Sequence, residues 1–209
     1  MLDRPLAAVY DRISAANERR WMGGARRRLL DGLEGKVLEI GAGTGANFQY
    51  YPPAALVTAI EPSPNFSKRA RSKIAGAEAV VGLKRADARD MPFEDDSFDA
   101  AVATLVFCTI PDPMAALAEV RRVTKPGAPV LLIEHVRSPY PVKRLILNAW
   151  APIHKTLFVG CHLNRDTEAN VTNAGFQIQE ITQIALELGA VPVISIRAIN
   201  DSNQGDSNG

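Results

Sequence analysis

Along most of this chain, apolar residues come in two alternating rhythms. From about residue 36 onward, short apolar runs of strand length alternate with stretches whose apolar positions return at helical spacing, which predicts a parallel sheet covered by helices. The strand candidates are Lys36 to Ile40, Leu56 to Ile60, Ala79 to Leu83, Phe98 to Leu105 and Val130 to His135, the third giving the weakest signal. Between the last two, Asp112-Pro113 is a helix cap followed by proline at the first helical position, and Leu117, Val120 and Val123 form an apolar stripe. Lys125-Pro126-Gly127 then predicts a type II turn back into the fifth strand. Residues 3 to 33 read as helix, with Leu6, Val9, Tyr10 and Ile13 on one face. Near its far end, Arg26-Arg27-Arg28 is expected to be a solvated surface, the alternative being a site for anionic headgroups. Beyond Arg137 an aromatic-bearing helical segment reaches about Phe158. Phe176 to Ile181 and Val191 to Ile199 suggest a late strand pair, and Asp201 to Gly209 is too polar to bury anything and is expected to be a disordered tail.

Composition narrows the class. The length of 209 residues suits one domain, and 46% apolar with 22% charged residues excludes wholesale disorder, collagen and coiled coil. With 24 basic against 23 acidic residues, the net charge of +1 gives no reason to expect a nucleic-acid partner. The two cysteines, Cys108 and Cys161, have no short metal-type spacing and no further partners, which favours a reducing compartment and a cytoplasmic location. No export signal is expected from Met1-Leu-Asp-Arg-Pro. The apolar stretch from Leu145 to Leu163 is broken by Pro152, His154 and Lys155, so no transmembrane segment is expected either, while peripheral membrane contact stays open.

The sharpest local feature is Val37-Leu-Glu-Ile-Gly41-Ala-Gly43-Thr-Gly45-Ala-Asn47, a buried strand running into glycines and then a helix start. Glycines allow the tight turn and let backbone amides approach a ligand. Twenty positions after Gly41 stands Glu61, where a carboxylate can accept hydrogen bonds from both hydroxyls of a ribose. The ligand class is therefore adenosine-like. Because Gly41, Gly43 and Ala46 also satisfy G-x-G-x-x-G/A, the loop alone leaves a nicotinamide dinucleotide open beside other nucleotides. Asp87-Ala88, beyond the third strand, is placed to accept from an adenine amino group.

Taken together, E-I-G-A-G-T-G, Glu61, Asp87-Ala88, P-F-E-D-D-S-F-D and R-R-V-T-K-P-G resemble the class I methyltransferases that use S-adenosylmethionine, over about residues 36 to 135. The resemblance implies an α/β fold: a single Rossmann-like doubly wound sheet, mostly parallel, with a late antiparallel strand. It also implies S-adenosylmethionine as cofactor. It places Gly41, Gly43, Gly45 and Asn47 at the methionine part, Glu61 with Pro62 at the ribose, and Asp87 with Ala88 at adenine. Glu39 matches the acid of the first motif, Thr104 and Leu105 line the methyl donor, and Tyr10 of Tyr10-Asp11 closes over the methionine end.

A longer likeness runs through Gly45-Ala-Asn-Phe-Gln-Tyr-Tyr-Pro-Pro53, Glu61-Pro-Ser-Pro-Asn-Phe66, Thr104-Leu-Val-Phe-Cys108, Glu134-His-Val136 and Leu157-Phe-Val-Gly-Cys-His-Leu-Asn-Arg165. These are similar to the methyltransferase-like 7 proteins, S-methyltransferases of alkyl thiols and hydrogen sulfide. Two departures stand out. Their N-terminal hydrophobic membrane segment is not expected here, and their second-strand acid is usually Asp where this chain has Glu61. The implied organisation is one methyltransferase domain over residues 1 to 200, with an N-terminal helical segment over 1 to 35 and an acceptor-side cap over 138 to 170, then the tail over 201 to 209.

Methyl transfer from a sulfonium needs alignment more than acid or base catalysis, and a thiol is already a few per cent thiolate near pH 7. His135, at the end of the fifth strand, is the candidate for pocket lining or for the catalytic base, and Trp150, Leu157 and Phe158 suit a hydrophobic acceptor. Cys161-His162 with His154 lacks a fourth ligand, so no metal is expected, and Cys108 reads as a small buried residue. The expected function is methyl transfer to a small or hydrophobic acceptor, a thiol first. A phospholipid amine or a quinone is the nearest alternative, followed by a noncatalytic S-adenosylmethionine-binding module and then a nicotinamide-dependent oxidoreductase. Neither the acceptor's identity nor the oligomeric state can be read from the residues.

Overall fold

The computed structural model describes residues 22–138, 140–142, 144, 145, 147, 149, 161, 162, 165–184 and 192–201. Among them, seven strands form one sheet: β1 (Gly35–Ile40), β2 (Ala55–Ile60), β3 (Val80–Lys84), β4 (Ala100–Thr104), β5 (Pro129–His135), β6 (Phe176–Ile184) and β7 (Val193–Asn200). Their spatial order is β3-β2-β1-β4-β5-β7-β6. The first five run parallel, and β7 lies antiparallel to both β5 and β6. The mostly parallel sheet with a late antiparallel strand is therefore present.

Sidedness follows from alternation within buried strands. Leu38, Ile40, Leu132 and Ile196 join one core cluster with Leu117, Val120 and Val123 of α3 (Pro113–Val123) and Val171 of α4 (Thr167–Asn173). On the other face Val37, Val57, Val102, Leu131 and Ile133 pack with Leu29 and Leu30 of α1 (Gly23–Leu30). A further helix, α2 (Pro64–Ile74), sends Ala70 into this second cluster. Strands covered on both faces must read as continuous apolar runs, as β1, β4 and β5 do. β3 pairs with β2 only and alternates between exposed and half-buried, which explains its weak signal.

Three expectations are corrected. β4 is shorter than predicted, because Phe98 makes an isolated bridge to Thr124 and Leu105 turns out of the strand at φ +59°. The helix expected straight after the glycines is a single 3-10 turn, Phe48–Tyr50. Arg26 is not a solvated residue but 6% exposed, while Arg27 and Arg28 do face solvent. Tyr10, His154, Trp150, Leu157, Phe158, most of the proposed cap and residues 202 to 209 lie outside the described residues.

The cap and turn around α3 form as predicted. Asp112 accepts from the Ala115 amide at 3.0 Å, and Gly127 sits at φ +77° with the Ala128 amide donating to the Lys125 carbonyl at 3.0 Å. Buried Asn200 fastens this turn to the end of β7: its Nδ2 donates to the carbonyls of Arg121 and Thr124 at 2.9 and 2.7 Å and to Thr124 Oγ1 at 3.1 Å.

The strand order changes direction between β1 and β4, the point beyond whose carboxyl ends open α/β sheets place a ligand crevice. The neighbouring end is locked by Glu134, fully buried near the end of β5. Its Oε1 accepts from the amides of Val106 and Phe107, both at 2.8 Å, and its Oε2 from that of Cys108 at 3.1 Å. Burial pushes its carboxyl up to about 7 against the opposing pull of those amides and of His135.

Two outcomes are expected. Asn200→Ala leaves several buried carbonyls short of a donor and lowers unfolding free energy by about 1 to 3 kcal/mol, measured by urea titration; a loss below ~0.5 kcal/mol would contradict this role. An acid whose folded pKa lies above its unfolded value of 4.5 stabilises the fold fully below pH 4.5, and that contribution is lost as pH rises toward about 7. Unfolding free energy should fall over that window, Glu134 contributing at most about 3 kcal/mol, and Glu134→Gln should flatten the slope, as denaturant titrations at several pH values will read out.

Candidate active site

The crevice floor is the turn after β1. Gly41, Gly43 and Gly45 all take positive φ, at +62°, +57° and +76°. They are not equivalent. A Cβ on Gly41 would lie 2.7 Å from both methyl groups of Val106, and one on Gly45 would meet the Phe48 ring at 2.8 Å. Among the described residues the nearest atom over Gly43 is the Gly41 carbonyl oxygen at 3.9 Å, so on this side a ligand can approach the backbone.

Glu61 follows β2 and is 6% exposed. Its Oε2 accepts from the Gly43 amide and its Oε1 from the Ser63 amide, each at 2.9 Å. Burial raises its pKa against those two bonds. An ionised carboxylate offers about four acceptor positions, so the two bonds leave capacity for two more donors. Pro62, beside it, is exposed, and its carbonyl accepts from Arg85.

Beneath the loop lies a buried polar cluster. Asn47 Nδ2 donates to Glu39 Oε1 at 3.0 Å and to Thr104 Oγ1 at 3.2 Å, and Arg26 Nη1 donates to Asn47 Oδ1 and to Thr104 Oγ1, both at 2.5 Å. Burial lifts Glu39 to about 7, opposed by the Asn47 amide, Tyr51 and the Arg26 charge. Burial and the Glu39 charge together push the Tyr51 hydroxyl well above its usual range. Neither Glu39 Oε2 nor Tyr51 Oη has a hydrogen-bond partner of ordinary geometry among the described residues. The cluster joins α1, β1, the glycine loop and β4, and fixes Asn47 and Thr104 relative to each other.

Leu105 holds left-handed backbone at φ +59°, a conformation costing about 1 to 3 kcal/mol in a residue other than glycine, and its amide donates to the Ile133 carbonyl at 2.7 Å. The strain turns the chain so that Val106 lands on Gly41. Asp87 is half-exposed and bound by Arg89, with Nη2 to Oδ2 at 2.7 Å and Nε to Oδ1 at 3.0 Å, which holds its carboxyl below the usual range. Ala88 beside it is buried.

On the other side of Leu105 three residues converge. His135 Nδ1 lies 3.5 Å from Cys161 Sγ and 3.9 Å from Cys108 Sγ, and all three atoms fall within 4.8 Å of one another. Cys108 and Cys161 are buried and share a small apolar cluster with Leu147. Interaction with Cys161, then burial, then the Glu134 charge push the Cys108 thiol up, so it is a poor nucleophile as it stands. His135 thus faces two thiols at the half-buried end of β5.

The structure brings Glu39, Gly41, Gly43, Gly45, Asn47, Glu61 and Thr104 to one crevice, with Leu105 at its wall; Pro62, Asp87 and Ala88 follow β2 and β3. Tyr10 lies outside the described residues. Arg26, Tyr51 and the Cys108-His135-Cys161 group were not foreseen, while Glu134 is the buried, paired acid that the sequence allows, its partners being three backbone amides. Only Arg26 carried a sequence signal: it stands four positions after buried Met22 and three before buried Leu29, on the apolar stripe of α1.

A methyltransferase domain model matches residues 38–132. Human thiol S-methyltransferase TMT1B is 39% identical over 162 residues, 70% of this chain and 63% of its own length. Human thiol S-methyltransferase TMT1A is 33% identical over 183 residues, 80% of this chain and 73% of its own. A phosphatidylethanolamine N-methyltransferase of Cereibacter sphaeroides is 31% identical over 153 residues, 72% of this chain and 74% of its own. The chain spans only 59% to 63% of the length of the TMT1B proteins it matches. Among solved structures, an S-adenosylmethionine-dependent methyltransferase from Aquifex aeolicus superposes with a TM-score of 0.65 at 17% identity, over 88% of this chain and 92% of its own. At that identity the superposition speaks for the fold alone, but with the curated relatives and the crevice described above, the chain belongs to the S-adenosylmethionine-dependent methyltransferase family that includes thiol S-methyltransferase TMT1A.

Proposed function

We propose that this protein transfers a methyl group from S-adenosylmethionine to the sulfur of a small or hydrophobic thiol. The observation carrying this reading is the open approach over Gly43 beside the spare acceptor positions of Glu61, in a chain 39% identical to a thiol S-methyltransferase. The donor supplies, when bound, a methyl carbon on a positively charged sulfur.

The chain's own residues bind and orient. Glu61 is assigned to the ribose hydroxyls, Gly43 and its neighbours to the methionine part, Asn47 and Thr104 to the wall of that subsite, and Asp87 with Ala88 to adenine. Asp87 keeps its charge through Arg89, so an adenine amino group would have to share the carboxylate with the guanidinium. Glu39 and Arg26 act through Asn47 and Thr104 as positioning residues. At the acceptor side, apolar walls assist because attack of a thiolate on a sulfonium cancels opposite charges, a change that a medium of low dielectric favours. His135 is the polar group assigned to receive the acceptor.

A second reading has its own support. Tyr140, Val142 and Leu145 are 68%, 74% and 72% exposed just beyond β5, and an apolar surface there suits a phospholipid amine or a quinone presented by a membrane. No helix among the described residues is long and apolar enough to cross one.

Incubating the protein with methyl-labelled donor, alkanethiols and phospholipid vesicles should place label in the thioether; label entering only the lipid extract would favour the second reading. Glu61→Ala should weaken S-adenosylhomocysteine binding by about 10- to 100-fold in calorimetry, the equivalent of a charge-assisted hydrogen bond of roughly 1.5 to 3 kcal/mol. Unchanged affinity would remove Glu61 from the ribose.

A further inference from the structure

We infer that Cys108, His135 and Cys161 form a binding site for a zinc ion whose remaining coordination position takes the acceptor thiol as thiolate. The substrate half of this inference rests on the thiol reading above; the metal half does not.

Geometry comes first. Zinc bonds of about 2.3 Å to sulfur and 2.0 to 2.1 Å to nitrogen, arranged tetrahedrally, separate neighbouring ligand atoms by about 3.5 to 3.8 Å. The two sulfur-to-nitrogen separations here, 3.5 and 3.9 Å, are within tenths of an ångström of those values, and the two sulfurs lie within 4.8 Å of each other. The donor set is two thiols and one imidazole, soft enough to select zinc over magnesium or calcium. Among the described residues the donors number three, and three protein ligands with an open position is the pattern of catalytic rather than structural zinc.

The surroundings are organised to hold that set. Cys108 is pinned through its amide by Glu134 and through its carbonyl by the His162 amide at 2.8 Å, so the loops bearing Cys108 and Cys161 are tied to each other. Arg165 donates to the Phe107 carbonyl, and its charge acts on both cysteines. Two thiolates and a divalent cation are neutral together, which makes their burial tolerable, whereas two bare thiolates here would not be. Leu147 adds an apolar wall.

Position supplies the function. Two residues before Cys108, Val106 lies against Gly41, so the ion would sit beside the crevice assigned to the methyl donor. A thiol entering the vacant position loses its proton to water, because coordination lowers its pKa. Its sulfur lone pair then forms the bond to the methyl carbon, while the carbon-sulfonium bond breaks with its electrons going to the departing sulfur. A thioether binds the metal weakly and leaves. No redox change is involved.

The test uses the whole chain, reduced with a phosphine and stripped by chelator, titrated with cobalt(II) as a visible stand-in and with zinc as competitor. One cobalt per chain, with the intense visible bands of a four-coordinate thiolate site, is expected. Cys161→Ser and His135→Gln should each weaken binding by more than about 100-fold, beyond the effect of losing an outer partner. Should either variant fold poorly, as judged by its melting curve, the wild-type spectrum and zinc competition still decide. Ethanethiol added to the cobalt protein should shift the bands.

Substoichiometric cobalt, or binding that survives both substitutions, overturns the site. So does reduced protein that takes no metal while the oxidised form carries a Cys108 to Cys161 disulfide. Bands indifferent to ethanethiol overturn the substrate role. If the bands respond but no labelled thioether forms, the metal site stands and the thiol-methyltransferase reading falls.

Discussion

The carboxyl edge of this sheet depends on the buried Glu134 carboxylate accepting three consecutive backbone amides. β4 and β5 end side by side, and without an acceptor beneath it the loop leaving β4 would carry unpaired buried donors, each costing about 1 to 3 kcal/mol. Glu134 satisfies three at once, and in doing so sets both neighbours of the loop. Val106 is pressed onto Gly41, where no side chain could stand, and Cys108 is turned toward His135. The glycine turn and the thiol cluster are thus both shaped by one clasp.

The buried polar groups behind the glycine loop answer a different demand. Arg26, Glu39, Asn47 and Thr104 add no hydrophobic stability, and each would be costly alone. Joined, they tie α1, β1 and β4 at the point where the strand order turns. The proposed transfer, which has to align three atoms in a line, would gain more from such fixed geometry than from an additional acid or base.

Much of the frame was legible because parallel strands buried on both faces write themselves as apolar runs. The glycine spacing, the Asp112 cap and the turn at Gly127 were legible for the same kind of reason: each is a local conformational requirement with few residue solutions. The errors came where tertiary contacts overrule local rules. A run of three arginines reads as a solvated face, yet α1 turns its first arginine inward on the stripe shared by Met22 and Leu29. Leu105 adopts a glycine-like φ that its own side chain disfavours, so no propensity could have ended β4 there.

The thiol cluster was illegible for a topological reason. Short metal motifs announce themselves because one loop supplies neighbouring ligands, and a search by spacing finds only those. Here each of the three residues follows or ends a different stretch of chain, and only strand order brings them together. Cys108 comes after β4, His135 ends β5, and Cys161 returns from beyond it. Any open α/β sheet places the ends of adjacent parallel strands within side-chain reach, whatever their separation in sequence. The informative search in such a chain is therefore over residues at the carboxyl ends of neighbouring strands. By that criterion Cys108 and His135 belonged together as soon as β4 and β5 were paired.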